Sequence, residues 1–335
     1  MQIEQAMHEL ISFIKDERKM YMQYSFIPEN NTYASGICLS PFKEKVGIMI
    51  QGPITNIGFL CSTIEKYKAW FPDVLICVST WSDEEDAQIK QIMKTGAMVI
   101  QSEKPIKNGV YNLNLQLKTT YAGICALKNN DAVYILKTRT DQRICSSMFL
   151  HYFYLLLQIF PLSDNVQNQS NRIITMDLYT QKFVPFHLSD MMQFGHTVDL
   201  DSYWAIPFSQ MNIRQNRLEK ILPHLSIMEE QNYEFPEIYL STHFAKKKLG
   251  DSYSYTLSTY YKFLKERFII VNSMDIGFLW PKKLESKRFM FPKHKLDYLS
   301  QLFTFFDWLY IWNGNSTFLH DDEKDIMTLK RYALE

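Results

Sequence analysis

An apolar run, Ala132-Val133-Tyr134-Ile135-Leu136, ends abruptly in Lys137, Arg139, Asp141 and Arg143. A buried strand that finishes in dense charge places chemistry at the edge of an α/β sheet. Three cations beside one carboxylate suit a phosphate-bearing ligand, with or without a metal ion. The plain alternative is a strand end whose charges are solvated. Many nucleotide-sugar enzymes end such a strand with Asp-x-Asp, which holds Mg²⁺ or Mn²⁺ against a diphosphate. Here the equivalent is Arg139-Thr140-Asp141, with only the second acid. Two chemistries stay open. Asp141 could hold a metal together with phosphate oxygens, or Lys137, Arg139 and Arg143 could neutralise a departing phosphate directly.

Other polar groups recur at the ends of apolar runs. In Gln51-Gly52-Pro53, the glycine lets a backbone approach a ligand, the proline fixes the turn, and Gln51 can donate to and accept from a base or ribose. Ser79-Thr80-Trp81 offers two hydroxyls and an indole for a nucleobase or sugar, or else a helix cap and a core tryptophan. Asn112-x-Asn114-x-Gln116-x-Lys118 enters a helix; Asn114 and Lys118 share a face, and Lys118 could reach a phosphate. His187-Leu188-Ser189-Asp190 lacks the setting of a hydrolase triad, because GxSxG is absent. A carboxylate there, Asp190, could instead take a proton from an acceptor hydroxyl. Pro236-Glu237 reads as ordinary helix N-terminal chemistry, or as a second candidate base in Glu237. Lys282–Lys295 is basic and leads into aromatics up to Trp312, a pattern that could rest on an anionic membrane or form core packing.

These groups need a scaffold to bring them together. Strands are expected at 45–51, 74–78, 97–101 and 131–137, separated by helices at 56–70, 83–95 and 113–128. That alternation predicts an α/β fold with a mostly parallel central sheet covered by helices, and ligands at the carboxyl ends of its strands. Further expectations are helices at 2–24, 149–160, 212–222, 237–248, 255–268, 296–312 and 321–332, a strand at 172–179 and a loop at 185–195. The domain reading is an N-terminal helix and connector (1–42), a catalytic domain (43–250) and a helical C-terminal extension (251–335).

Composition narrows the classes. Lys+Arg and Asp+Glu balance at 36 each, so no basic field attracts nucleic acid. The absence of GxGxxG and GxxxxGK[ST] disfavours a Rossmann dinucleotide enzyme and a P-loop phosphotransferase. Five scattered cysteines without a CxxC pair argue against a disulfide framework or a zinc site, and for a reducing compartment. No apolar run approaches the ~20 residues that span a bilayer. A soluble protein is expected, cytoplasmic and at most peripheral on the inner face of the membrane through 282–312.

The QGPI strand end (51–54), FPDVLICVSTW (71–81), NLNLQLKTTYAG (112–123), LKTRTDQR (136–143), PFHLSD with the following FG (185–195) and PEIYL (236–240) together resemble the WavE family of lipopolysaccharide-synthesis proteins. The resemblance implies a bacterial surface-glycan enzyme with a core similar to the GT-A glycosyltransferases. It would move sugar from a nucleotide-activated donor to a lipopolysaccharide, lipooligosaccharide or capsule precursor. By that likeness Gln51, Gly52, Thr80 and Trp81 would line the nucleotide pocket. Asp141 would stand at the metal position, and Asp190 or Glu237 would face the acceptor. The missing first acid leaves dependence on Mn²⁺ or Mg²⁺ open. The rival readings are a nucleotidyl- or phosphotransferase on the same sheet and a non-catalytic glycan-binding subunit.

Overall fold

The computed structural model describes residues 40–211, 234–281 and 302–314. The expected helices at 2–24, 212–222 and 321–332, and the basic stretch 282–295, lie outside the described residues.

A seven-stranded sheet forms the centre, in the order β3-β2-β1-β4-β7-β6-β8. The strands are β1 (Val46–Gln51), β2 (Leu75–Trp81), β3 (Met98–Ser102), β4 (Tyr134–Arg139), β6 (Ile173–Met176), β7 (Gln193–His196) and β8 (Phe268–Val271). β1 to β4 pair in parallel, as the alternation of strands and helices predicts. β7 runs antiparallel to both β4 and β6, while β8 pairs in parallel with β6. A second, two-stranded sheet joins β5 (Arg143–Ile144) to β9 (Phe278–Leu279).

The helices are α1 (Ile57–Trp70), α2 (Asp86–Lys94), α3 (Leu113–Lys128), α4 (Phe149–Ile159), α5 (Thr197–Trp204), α6 (Pro236–Leu249), α7 (Leu257–Arg267) and α8 (Phe305–Trp312). α1 starts where the sequence signals it, with the Asn56 side chain accepting from the Phe59 N–H at 2.9 Å. α2 starts later than expected, after Glu85, which makes no side-chain cap. β1 is buried along its whole length, as a strand covered on both faces must be.

Three differences from the sequence reading bear on the site. β4 extends to Arg139, so Lys137 lies within a strand and not beyond its end. The stretch expected as a loop at 185–195 ends in β7, whose short Gln193–His196 run carries too little alternation to be read as a strand. The chain after 251 is also not purely helical, because β8 closes one edge of the main sheet. In α8, Trp308 and Ile311 are buried while Phe306 faces solvent. Trp308 and Trp312 both meet Phe160 edge-on at centroid distances of 4.9 Å, so this aromatic run is largely packing. No described helix is long and apolar enough to cross a membrane.

The helix that covers the site side of the sheet sits close to it. A Cβ on Gly123 of α3 would lie 2.6 Å from Met49 Cγ and 3.1 Å from Ser79 Cβ, an approach that only glycine permits. Gly123→Val should therefore destabilise the protein by about 1–3 kcal/mol through overpacking. Gly58→Ala, at an exposed position in α1, should leave stability unchanged or slightly raised. Urea unfolding of both variants measures the contrast.

Candidate active site

Parallel pairing lines up the strand ends that the sequence singled out. Gln51 of β1 lies opposite Ser79 of β2 on one side and Arg139 of β4 on the other. Directly paired residues of parallel strands share a face, so these three stand in one row at the carboxyl edge, on the side covered by α3. Thr119 of α3 ties the row together: its hydroxyl donates to Gln51 Oε1 at 3.0 Å, and its carbonyl accepts from Ser79 Oγ at 2.6 Å. Gly52 turns the chain at φ +121°, and a Cβ there would approach Thr140 Oγ1 to 3.2 Å. Thr140 closes the turn from the other strand, its hydroxyl donating to the Pro53 carbonyl at 2.7 Å.

Two residues before Arg139, on the same face, stands Lys137, which is fully buried. Its ammonium donates to the backbone carbonyl of Asp190, with the Met191 carbonyl at 3.5 Å, and lies 4.9 Å from the centre of the Trp204 ring. Lys137 is paired across the sheet with Gln193, whose side-chain oxygen accepts from Trp204 Nε1 at 2.7 Å. Burial pushes the Lys137 ammonium down to about 8, although the charge of Asp190 pulls the other way.

The segment carrying Asp190 is rigid. Phe186, fully buried at φ +59°, sits among Tyr253, Tyr255, Tyr260 and Phe263 with centroid separations of 5.3–5.9 Å. Its carbonyl accepts from Ser241 Oγ of α6. The Ser189 N–H donates to Thr180 Oγ1 at 3.1 Å, and the Ser189 carbonyl accepts from Thr175 Oγ1 at 2.9 Å. Asp190 itself is 4% exposed, and its Oδ2 has no hydrogen-bond partner among the described residues.

Glu237, in the first turn of α6, joins the same electrostatic cluster. It keeps some contact with solvent yet is largely enclosed by protein. Burial, reinforced by the charge of Asp190, pushes its carboxyl up to about 8. Lys137 and Arg139 oppose that rise without cancelling it. A carboxyl whose proton affinity is raised beside a second carboxyl is a common basis for separate acid and base roles.

Arg139 and Asp141 meet as a fork: Nε donates to Oδ1 at 2.9 Å and Nη2 to Oδ2 at 3.1 Å. Trp280, which follows β9, donates from Nε1 to Asp141 Oδ2 at 3.0 Å, and its ring lies 5.4 Å from the Arg139 guanidinium. Both carboxylate oxygens of Asp141 are therefore engaged. Among the described residues, no three His, Cys, Asp or Glu side chains are grouped so as to hold a metal. A carboxylate locked in a guanidinium fork, outside any such group of acids among the described residues, does not fit the oxygen-rich shell of Mg²⁺ or Mn²⁺.

Lys137, Arg139, Asp141, Asp190 and Glu237 thus come together, with Gln51 beside Arg139 in the sheet. Other candidates stand elsewhere. Arg143 is buried against α1, with Nε donating to Thr63 Oγ1 at 2.9 Å, Nη2 to the Phe59 carbonyl at 3.0 Å, and its guanidinium 4.3 Å from the Phe59 ring. Asn114 is buried and clamps two loops, donating to the Lys107 and Ser209 carbonyls at 2.9 Å each and accepting from the Ser209 N–H at 2.8 Å. Lys118 is exposed and lines a groove of about 560 Å³ with Leu117, Tyr121 and the 204–208 segment. Thr80 is buried and donates to Glu84 Oε1 at 2.8 Å, and Trp81 is buried with Lys104 Nζ 5.9 Å from its ring centre. Sequence reasoning missed Gln193, Trp204 and Trp280. Trp280 lies 139 residues from its partner Asp141, and nothing local marks it.

A family model described as WavE lipopolysaccharide synthesis matches residues 46–333, and the chain belongs to that family. No curated protein sequence matches the chain. Among solved structures, the chain is similar to the mannosyltransferase PcManGT from Pyrobaculum calidifontis in complex with GDP-Man and Mn²⁺, at 8% identity and TM-score 0.33, over 97% of this chain and 92% of that one. It is similar to S. aureus TarS 1–349 at 10% identity and TM-score 0.31, over 87% and 90% of the two chains. A Leptospira borgpetersenii cytidylyltransferase gives 15% identity and TM-score 0.31, over 66% and 94%. All three TM-scores are low, and the fold assignment rests on the sheet's own topology.

The raised proton affinity of Glu237 has a measurable signature. Between the ordinary carboxyl value of 4.5 and about 8, the folded protein keeps a proton that the unfolded chain has released, so stability falls as pH rises through that window. Glu237→Gln removes this dependence. The variant should match the parent near pH 5 and exceed it near pH 9 by about 1–3 kcal/mol, read from thermal melts across the pH range.

Proposed function

We propose that this member of the WavE lipopolysaccharide synthesis family is a glycosyltransferase that moves a sugar from a nucleotide-activated donor to a lipopolysaccharide, lipooligosaccharide or capsule precursor. The observation that supports this reading most is the cluster at the carboxyl edge of β1 and β4. There a guanidinium held in place by Asp141 stands with Asp190, whose Oδ2 has no partner among the described residues, and with Glu237, whose carboxyl is pushed up by burial. Cation and base in one cluster suit a displacement that releases phosphate charge and takes up a hydroxyl proton.

In the proposed reaction the acceptor oxygen attacks the anomeric carbon. The bond from that carbon to the donor phosphate breaks, and its electron pair leaves with the phosphate. Asp190 takes the acceptor proton; its unpartnered Oδ2 supports that role. Glu237 carries its own proton at neutral pH and would donate a hydrogen bond to a sugar hydroxyl. Arg139 would meet the departing diphosphate through Nη1, while its Nε and Nη2 stay on Asp141. Gln51 would contact the nucleoside, since its amide nitrogen makes no hydrogen bond to the described residues and its oxygen is fixed by Thr119. Access to a membrane-bound acceptor from the cytoplasmic face, through the stretch 282–312, belongs to the same proposal.

Asp190→Asn should lower kcat by about 10²–10⁴-fold while changing donor binding little. Product analysis with a panel of nucleotide sugars and rough lipopolysaccharide acceptors checks the reaction class. Release of a nucleoside diphosphate with sugar on the acceptor supports the reading. Release of pyrophosphate instead would mark a nucleotidyltransferase. Full turnover in both Asp190→Ala and Glu237→Ala would sink the assignment of the base.

A further inference from the structure

We infer that this site grips the donor diphosphate through the Arg139 guanidinium itself, without a divalent cation, and that Asp141 serves to orient Arg139 and not to ligate metal. The inference rests on the nucleotide-sugar reading above and specifies how its charged end is bound.

The geometry of the fork carries it. Arg139 uses Nε and Nη2 on Asp141, and Nη1 makes no hydrogen bond to the described residues. The Arg139 side chain is 26% exposed, so it is not sealed off from solvent. Trp280 holds the arrangement from the far side, covering the guanidinium face and donating to Asp141 Oδ2 at 3.0 Å. A planar cation fixed by a carboxylate and an indole has lost its rotamer freedom before the ligand arrives.

A metal at Asp141 would have to break that arrangement. Its carboxylate would leave the fork, and the cation would then sit beside an uncompensated guanidinium. The position where Asp-x-Asp would supply a first acid is Arg139 itself, so cationic charge already stands where a metal would bring it. Lys137, the other cation nearby, is occupied by the Asp190 and Met191 carbonyls and adds no phosphate contact. Asp141 also neutralises Arg139 in the resting protein, so one fixed ion pair replaces the resident metal and its counter-acids. On this arrangement Asp141 is a positioning residue that acts through Arg139.

Calorimetry on the full chain tests this, with UDP, GDP and CDP as probes, each in EDTA and in Mn²⁺. For the probe that binds, affinity in EDTA should lie within about threefold of that in Mn²⁺. Arg139→Met should weaken it at least about tenfold under both conditions, with Arg139→Lys falling between, since an ammonium cannot hold the two-donor fork to Asp141 and also present a further planar donor to phosphate. Asp141→Asn, which keeps an acceptor for Arg139 but is a poor metal ligand, should weaken binding less than about fivefold. Binding that requires Mn²⁺ and vanishes in Asp141→Asn would overturn this inference and leave the glycosyltransferase reading intact. Metal-free binding that Arg139→Met does not weaken would also overturn it alone. The parent protein failing to bind any of the three nucleotides, with or without Mn²⁺, would overturn both.

Discussion

A lysine buried inside a parallel sheet is the constraint around which the site is built. An ammonium withdrawn from water without partners would cost several kcal/mol, and the lowered proton affinity of Lys137 records part of that cost. Compensation comes from three directions: the carbonyls of Asp190 and Met191, the face of Trp204, and the charge of Asp190. They come from two stretches of chain, 190–191 and the end of α5. Satisfying one ammonium therefore fixes the 189–192 segment against β4 and seats the last turn of α5 over it. The single reversed strand serves the same arrangement. β7 runs antiparallel beside β4, so the chain that enters it passes the carboxyl edge of the sheet and delivers Asp190 there.

How much of this was legible in the sequence depended on the range of the signal. The parallel half of the sheet was readable because each of β1 to β4 is a compact apolar run with a helix after it, and the start of α1 was marked by a local cap at Asn56. The row Gln51, Ser79 and Arg139 follows from strand ends alone once the strands are parallel. The strand period also separates Lys137 and Arg139 from Thr138 on the opposite face. β7 and β8 are four residues each, too short for periodicity to separate strand from loop. The fates of Arg143 and Asn114 were not readable either. Both are polar residues in a promising motif, and each is consumed by backbone carbonyls and hydroxyls that the sequence does not place near it. A polar side chain near a site is a candidate ligand only after its own hydrogen bonds are accounted for.

The PFHLSD stretch shows how a segment that reads as a loop can be as fixed as a helix. Phe186 adopts a left-handed backbone that a bulky aromatic rarely takes, and four other aromatic side chains surround its ring. That strain, of order 1–3 kcal/mol, is offset by full burial of the ring. Thr175, Thr180 and Ser241 then satisfy the backbone on both sides of it. Asp190 follows four residues later and inherits that rigidity.

Charge balance completes the logic of the site. Lys137 and Arg139 supply two cations, facing the carboxyl groups of Asp141, Asp190 and Glu237. Ionising all three acids would leave a net negative charge in a cleft meant, on the proposed reading, to receive a diphosphate. Glu237 is the acid that retains its proton, because it combines burial with the charge of Asp190 and is only partly relieved by Lys137 and Arg139. Its position in the first turn of α6 favours the ionised form, and burial outweighs that preference. The resting cluster is then close to neutral, with its unsatisfied acceptor on Asp190 and its unbonded donor on Arg139. On the proposed reading, a near-neutral cluster with one unpartnered acceptor and one cationic donor would take in a polyanion at one end and a hydroxyl at the other without first discarding an ion of its own.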